Sequence, residues 1–145
     1  MFKMILVPTD GSALSIRAID EAIDYARLAG SRLIGLSVIE PYPTYLVAGE
    51  AAMSAVASLA QSAEAFVQDN LKAFVLRATA AGIPHETAVV TSPNPWAAIV
   101  QAAETHRCEA IFMGSHGRRG LDAVLMGSVT HNVLVHCKLP VMVLR

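Results

Sequence analysis

Four glycines, a histidine and two arginines crowd the stretch GSHGRRGLDAVLMGSVT, residues 114–130. Two residues separate Gly114 from Gly117, nine separate Gly117 from Gly127, and Ser128 follows at once. Glycine has no Cβ, so such a backbone approaches a phosphate closely and reaches positive φ. Successive N–H groups form an anion-binding concavity. Ser128, Val129 and Thr130 fall in the first turn of an expected helix, where unpaired N–H groups and the dipole favour negative charge. The hydroxyls of Ser115, Ser128 and Thr130 offer donors, and Arg118 and Arg119 add positive potential. This is the chemistry of a polyphosphate site. Turn formation alone explains the glycines equally well at this level, with Ser128 then a simple N-cap. The segment is not a Walker A loop, because it has no lysine, and it lacks the spacing of the dinucleotide fingerprint GxGxxG.

A second distinctive loop, Pro8-Thr9-Asp10-Gly11-Ser12, offers a carboxylate at Asp10. That residue suits either a ligand anchor or a turn. Both loops follow apolar runs. Met4–Val7 is a continuous apolar segment, as in a strand buried on both faces. Ser12 is placed to cap a helix with Ile16, Ile19, Ile23 and Ala26 on one face, ended by Gly30. Leu33–Ile39 is a second strand. A helix over about 51–81 follows, with Leu59, Ala63, Phe66, Leu71, Phe74 and Ala78 along it. His85–Val90 is a third strand. Asn94-Pro95 starts a helix whose apolar face is Trp96, Ile99, Val100 and Ala103, and Trp96 is read there as packing. Ala110–Met113 is a fourth strand, leading into the glycine segment. A last helix carries Val129, Val133 and Cys137, and Pro140–Leu144 is a fifth strand.

Strands alternating with helices throughout predict an α/β fold, a single doubly wound parallel sheet with helices on both faces. Such sheets bind ligands beyond the carboxyl ends of their strands, where strand order reverses. The two loops share one crevice if strands 1 and 4 are neighbours. The 145 residues fit one domain spanning 1–145. A 54% apolar and 16% charged composition argues against disorder. A formal net charge of −1 provides no basic excess for nucleic acid or a membrane surface. The short apolar run at the start is not a signal segment and no membrane span is read, so the expected location is cytoplasmic. Cys108 and Cys137 form no CxxC pair and are read as reduced thiols. The histidines show no metal-ligand spacing.

Gly114, Gly117, Gly127 and Ser128 match, in every spacing, the nucleotide motif G-x2-G-x9-G-S/T of the universal stress protein family. The chain resembles that family's ATP-binding branch over its whole length. ILVPTDGS is similar to the family's first strand and loop, IFMGSHGRRG to its fourth, and GSVTHNVLVHCKLPVMVL to its last helix and strand. The resemblance implies a five-stranded parallel sheet in the order 3-2-1-4-5, with strands 1 and 4 side by side. It implies an ATP site, with Mg²⁺ accompanying the nucleotide. Pro8, Thr9 and Asp10 hold the adenosine part, and Val38 meets adenine through its backbone. Met113, Gly114, His116, Gly117 and Arg118 form the ribose and phosphate side, and Gly127, Ser128, Val129 and Thr130 the phosphate cradle.

The function so implied is an ATP-binding stress-response or regulatory module. A slow ATPase or phosphotransfer enzyme on the same site is the alternative, although no base and stabiliser pair is evident. The HxGH and SGGxDS signatures of adenylating enzymes are absent, and nothing singles out a flavin pocket. In that strand order strand 5 is an apolar sheet edge. Pairing of residues 140–144 with a second copy would cover it, so a homodimer is expected.

Overall fold

Ile5, Leu6 and Val7 are each wholly buried because the first strand is covered on both of its faces. The computed structural model describes residues 1–42, 48–117 and 126–145. Its elements run in the order β1 (Met4–Pro8), α1 (Ala13–Ala29), β2 (Arg32–Ile39), α2 (Glu50–Ala80), β3 (His85–Thr91), α3 (Pro95–Thr105), β4 (Ala110–Gly114), α4 (Ser128–His136) and β5 (Val141–Leu144). The five strands form one sheet in the order β3-β2-β1-β4-β5, every pair parallel. The expected fold and strand order are therefore observed, with β1 and β4 adjacent at the reversal of order.

Alternation along the central strands builds two cores. Ile5 and Val7 of β1, Leu33 of β2 and Phe112 of β4 pack with Ile19 and Ile23 of α1 and Phe74 of α2. Leu6, Ile34, Leu36, Ile111 and Met113 point the other way, onto Ile99 and Ala103 of α3 and Val133 of α4. Each helix stripe thus faces the sheet, as the 3.6-residue period requires. Gly35 in β2 leaves room for the Phe74 ring, which would lie 2.5 Å from a Cβ at that position.

Local signals at α1 hold as read. Ser12 accepts a hydrogen bond from the Ser15 N–H at 3.2 Å, and Gly30 adopts the left-handed conformation at the other end, φ 66°. Three readings need correction. In α2 the buried residues are Val67, Asn70, Leu71, Phe74 and Ala78, while Leu59 and Phe66 are exposed. The reason is length. At 1.5 Å per residue this helix of 31 residues spans about 46 Å, whereas the 8 residues of β2 span about 26 Å, so its first half runs past the sheet. At α3 the Asn94 side chain makes no capping bond. Ser92 Oγ takes the Asn94 N–H instead, at 3.1 Å. At α4, Gly127 is the N-cap and Ser128 is already the first helical residue. Ser128 therefore does not cap; its N–H is one of the orphan donors of the first turn.

Candidate functional site

The carboxyl ends of β1 and β4 each lead into a loop, and the two loops touch. Beyond β1, the Thr9 N–H still donates to Leu36 O at 2.8 Å, carrying the sheet one residue further. Its carbonyl accepts from Ser37 Oγ at 3.0 Å, and its hydroxyl lies 3.2 Å from Ser15 Oγ. Thr9 is buried and fixed on three sides. Asp10 then turns the chain, with Oδ1 accepting the Ser12 N–H at 3.0 Å. This Asx-type turn lets Ser12 cap α1 directly after it. Gly11 has φ 77°, and a Cβ there would meet Asn70 Oδ1 at 2.3 Å, so both conformation and space require glycine.

Beyond β4, Ser115 N–H donates to Leu144 O at 2.7 Å, and Ser115 O accepts the Gly127 N–H at 2.8 Å. Thr130 Oγ1 donates to Gly114 O at 2.9 Å. These bonds pin the start of α4 to the end of β4. The Thr130 hydroxyl proton is thereby committed to the protein rather than offered to a phosphate. Ser115 is buried, and its Oγ lies 3.2 Å from His116 Nδ1.

The motif glycines serve close approach. Among the described residues, positive-φ glycines are Gly11, Gly30, Gly49 and Gly82, so Gly114, Gly117 and Gly127 do not use the left-handed region. The positive φ expected of these glycines from the sequence is therefore not observed. A Cβ on Gly114 would lie 2.9 Å from the Leu14 Cβ. One on Gly127 would lie 3.1 Å from the His116 Cα, and one on Gly117 would lie 2.3 Å from Asp10 Oδ2. The last contact joins the two loops. Gly117 is bare where the Asp10 carboxylate needs its space.

Between the loops lies a cavity of about 630 Å³, within the usual range of small-molecule sites. Twelve of the thirteen residues expected from the sequence line it: Pro8, Thr9, Asp10, Val38, Met113, Gly114, His116, Gly117, Gly127, Ser128, Val129 and Thr130. The thirteenth, Arg118, lies outside the described residues, as does Arg119. Ser128, Val129 and Thr130, the first turn of α4, belong to this lining, and the N–H groups of a first turn have no partner within the helix. One part of the cavity is therefore suited to an anion. Another part is apolar, formed by Leu36, Val38, Pro95, Trp96 and Ile99. A ligand with a flat apolar group and a polyanionic tail matches both parts.

Sequence reading missed several lining residues. In sequence Trp96 and Ile99 read only as a packing face of α3 and Phe66 only as a face of α2, yet all three line the cavity. Ser12 reads in sequence only as the cap of α1, and Glu40, Ser15 and Asn132 belong to no motif. Helical periodicity reports that Trp96 faces inward; it does not distinguish a core from a cavity wall. No group of three His, Cys, Asp or Glu side chains suited to a metal occurs among the described residues. Nor is any described helix long and apolar enough to cross a membrane.

The sequence profile of the universal stress protein family matches residues 1–145. A universal stress protein of Thermus aquaticus is 30% identical over 153 aligned positions, covering all of both chains. The solved structure of the Methanocaldococcus jannaschii protein MJ0577 superposes with a TM-score of 0.83 at 27% identity, covering 99% of this chain and 96% of that one. A universal stress protein solved in complex with cAMP is also 27% identical, with a TM-score of 0.68, and the match covers 99% of this chain and 97% of that one.

Proposed function

This chain belongs to the universal stress protein family, and from that premise we propose that it is an ATP-binding regulatory module. The observation that carries the proposal is the convergence of Asp10 and Gly117 on one cavity that also takes in the start of α4. The residues fit the nucleotide. Three first-turn N–H groups and the Ser128 hydroxyl suit the phosphates. Asp10 suits a ribose hydroxyl, which donates to a carboxylate. Val38, at the end of β2, borders the apolar part where adenine would sit. A solved relative holding cAMP supports an adenine nucleotide as the ligand class. The triphosphate reading rests on Gly114, Gly117, Gly127 and Ser128, whose spacing is that of the family's ATP-binding motif. Mg²⁺ would enter with the nucleotide and neutralise its phosphate charge.

Regulation by ATP requires that two states of the protein bind it differently. We propose a homodimer as the assembled form. The register fixes which groups of β5 are available. Ser115 N–H reaches Leu144 O, so the alternate residue Val143 points its N–H and C=O away from β4. That edge is apolar and suited to pairing with a second copy.

The proposal is tested by thermal unfolding with and without MgATP. Ligand at 100 times its dissociation constant adds about 2.7 kcal/mol to the native state. A clear rise in Tm is expected for the wild type and none for Gly127→Val, whose side chain would press on the His116 backbone at the head of α4. An unchanged wild-type Tm at millimolar MgATP would overturn the reading.

A further inference from the structure

Trp96 lines the cavity, and it is the chain's sole tryptophan. It lies outside the glycine motif, at the second position of α3, after Pro95. Val38 and Trp96 pack against the apolar cluster that contains Ile99, and all three line the cavity. The indole is held from one side. Its ring stacks on His136 with centroids 4.4 Å apart and planes 26° from parallel. His136 is itself positioned by a bond between Nδ1 and Asn132 O at 2.9 Å. Asn132 Nδ2 in turn donates to Ser128 O at 2.9 Å. Ser128, Asn132 and His136 stand at i, i+4 and i+8 on α4, so one helix face runs from the anion end of the cavity to the clamp on the indole.

We infer that Trp96 is a base-contacting residue of the nucleotide site, an aromatic wall against which the planar ring of the ligand packs; this inference rests on the nucleotide reading of the cavity. A wall clamped by a stacked histidine loses little freedom when a ligand arrives, so its contact is not offset by ordering. An aromatic face accepts any flat heterocycle. Trp96 therefore favours a base over an aliphatic group, while choice among bases falls to polar groups elsewhere in the cavity.

Because there is one tryptophan, its fluorescence reports this residue alone. Titration of the full-length protein with MgATP, followed by tryptophan emission and by calorimetry, is expected to give one saturable curve in both signals. Magnesium triphosphate, which has no base, should bind without the emission change. Trp96→Ala should weaken MgATP roughly 5- to 150-fold and leave magnesium triphosphate within twofold. Trp96→Phe, which keeps an aromatic face and most of the packing, should recover most of the affinity. Equal losses for MgATP and triphosphate in Trp96→Ala would mark a structural role and overturn the inference. So would calorimetric MgATP binding to the wild type with flat emission. Absence of calorimetric binding to the wild type would instead remove the nucleotide reading and this inference with it.

Discussion

Substituting Gly117 by alanine tests how the two loops work together. The new Cβ would lie 2.3 Å from Asp10 Oδ2 and 3.5 Å from Asp10 Cγ. The carboxylate must swing aside, since carbon and oxygen do not approach that closely. Its other oxygen accepts the Ser12 N–H at 3.0 Å, so the swing disturbs the turn that starts α1. A lost hydrogen bond to a charged group is worth about 1.5–3 kcal/mol. For a domain of this size complete loss of that bond lowers Tm by about 3–12 °C, which is the upper limit for this substitution because the displaced atom is the outer end of a side chain. If the Asp10 carboxylate also anchors the nucleotide, affinity falls by roughly 10- to 150-fold on the same energy scale. The clash is with the carboxylate itself, so it vanishes once that group is gone. In an Asp10→Ala background, Gly117→Ala should then cost less than about 0.5 kcal/mol in stability and change MgATP affinity by under twofold. The four proteins of the cycle are measured by thermal melts and calorimetry. Penalties that simply add, to within about 0.5 kcal/mol, would show that Gly117 does not act through Asp10 and would refute this account of the glycine.

Three further outcomes are expected. Phe74→Ala removes a wholly buried ring and should cost about 3–5 kcal/mol in denaturant unfolding; a loss below 1 kcal/mol would contradict the packing of α2 on β2. Burial pushes the Cys108 thiol up from 9.0 to about 11. The folded state thus keeps this proton where the unfolded state has released it, so the thiol's contribution to stability should be level below about pH 9 and fall between pH 9 and 11; Cys108→Ala should make the fall over that range shallower. Light scattering should report about twice the 15.4 kDa chain mass. Val143→Pro, which removes an outward-facing N–H from the β5 edge, should shift the mass to one chain, and an unchanged mass would place the interface elsewhere.

Much of the molecule was legible because local signals agreed with one another. The fully apolar run Met4–Val7 and the Ser12 and Gly30 caps placed β1 and α1, and the alternation of elements gave the doubly wound class. The order of strands was not in the periodicity; it came through resemblance, and the ladder from β1 to β4 bears it out. Spacing alone located the glycine segment. It misjudged what those glycines do, since φ and interloop contacts are tertiary properties. Gly117 is explained by Asp10, more than a hundred residues earlier. Trp96 escaped for a similar reason. A periodic apolar residue looks the same in sequence whether it meets another side chain or a cavity. The exposed first half of α2 was misread because periodicity continues after the sheet beneath it has ended.

The central claim is that the cavity between the Asp10 and Gly117 loops holds an adenine nucleotide. Isothermal titration of nucleotide-free protein with MgATP tests it most directly. One nucleotide per chain is expected in the wild type, with binding strongly weakened in Asp10→Ala and in Gly127→Val. Absence of binding at millimolar MgATP, or wild-type affinity in both folded variants, would contradict it.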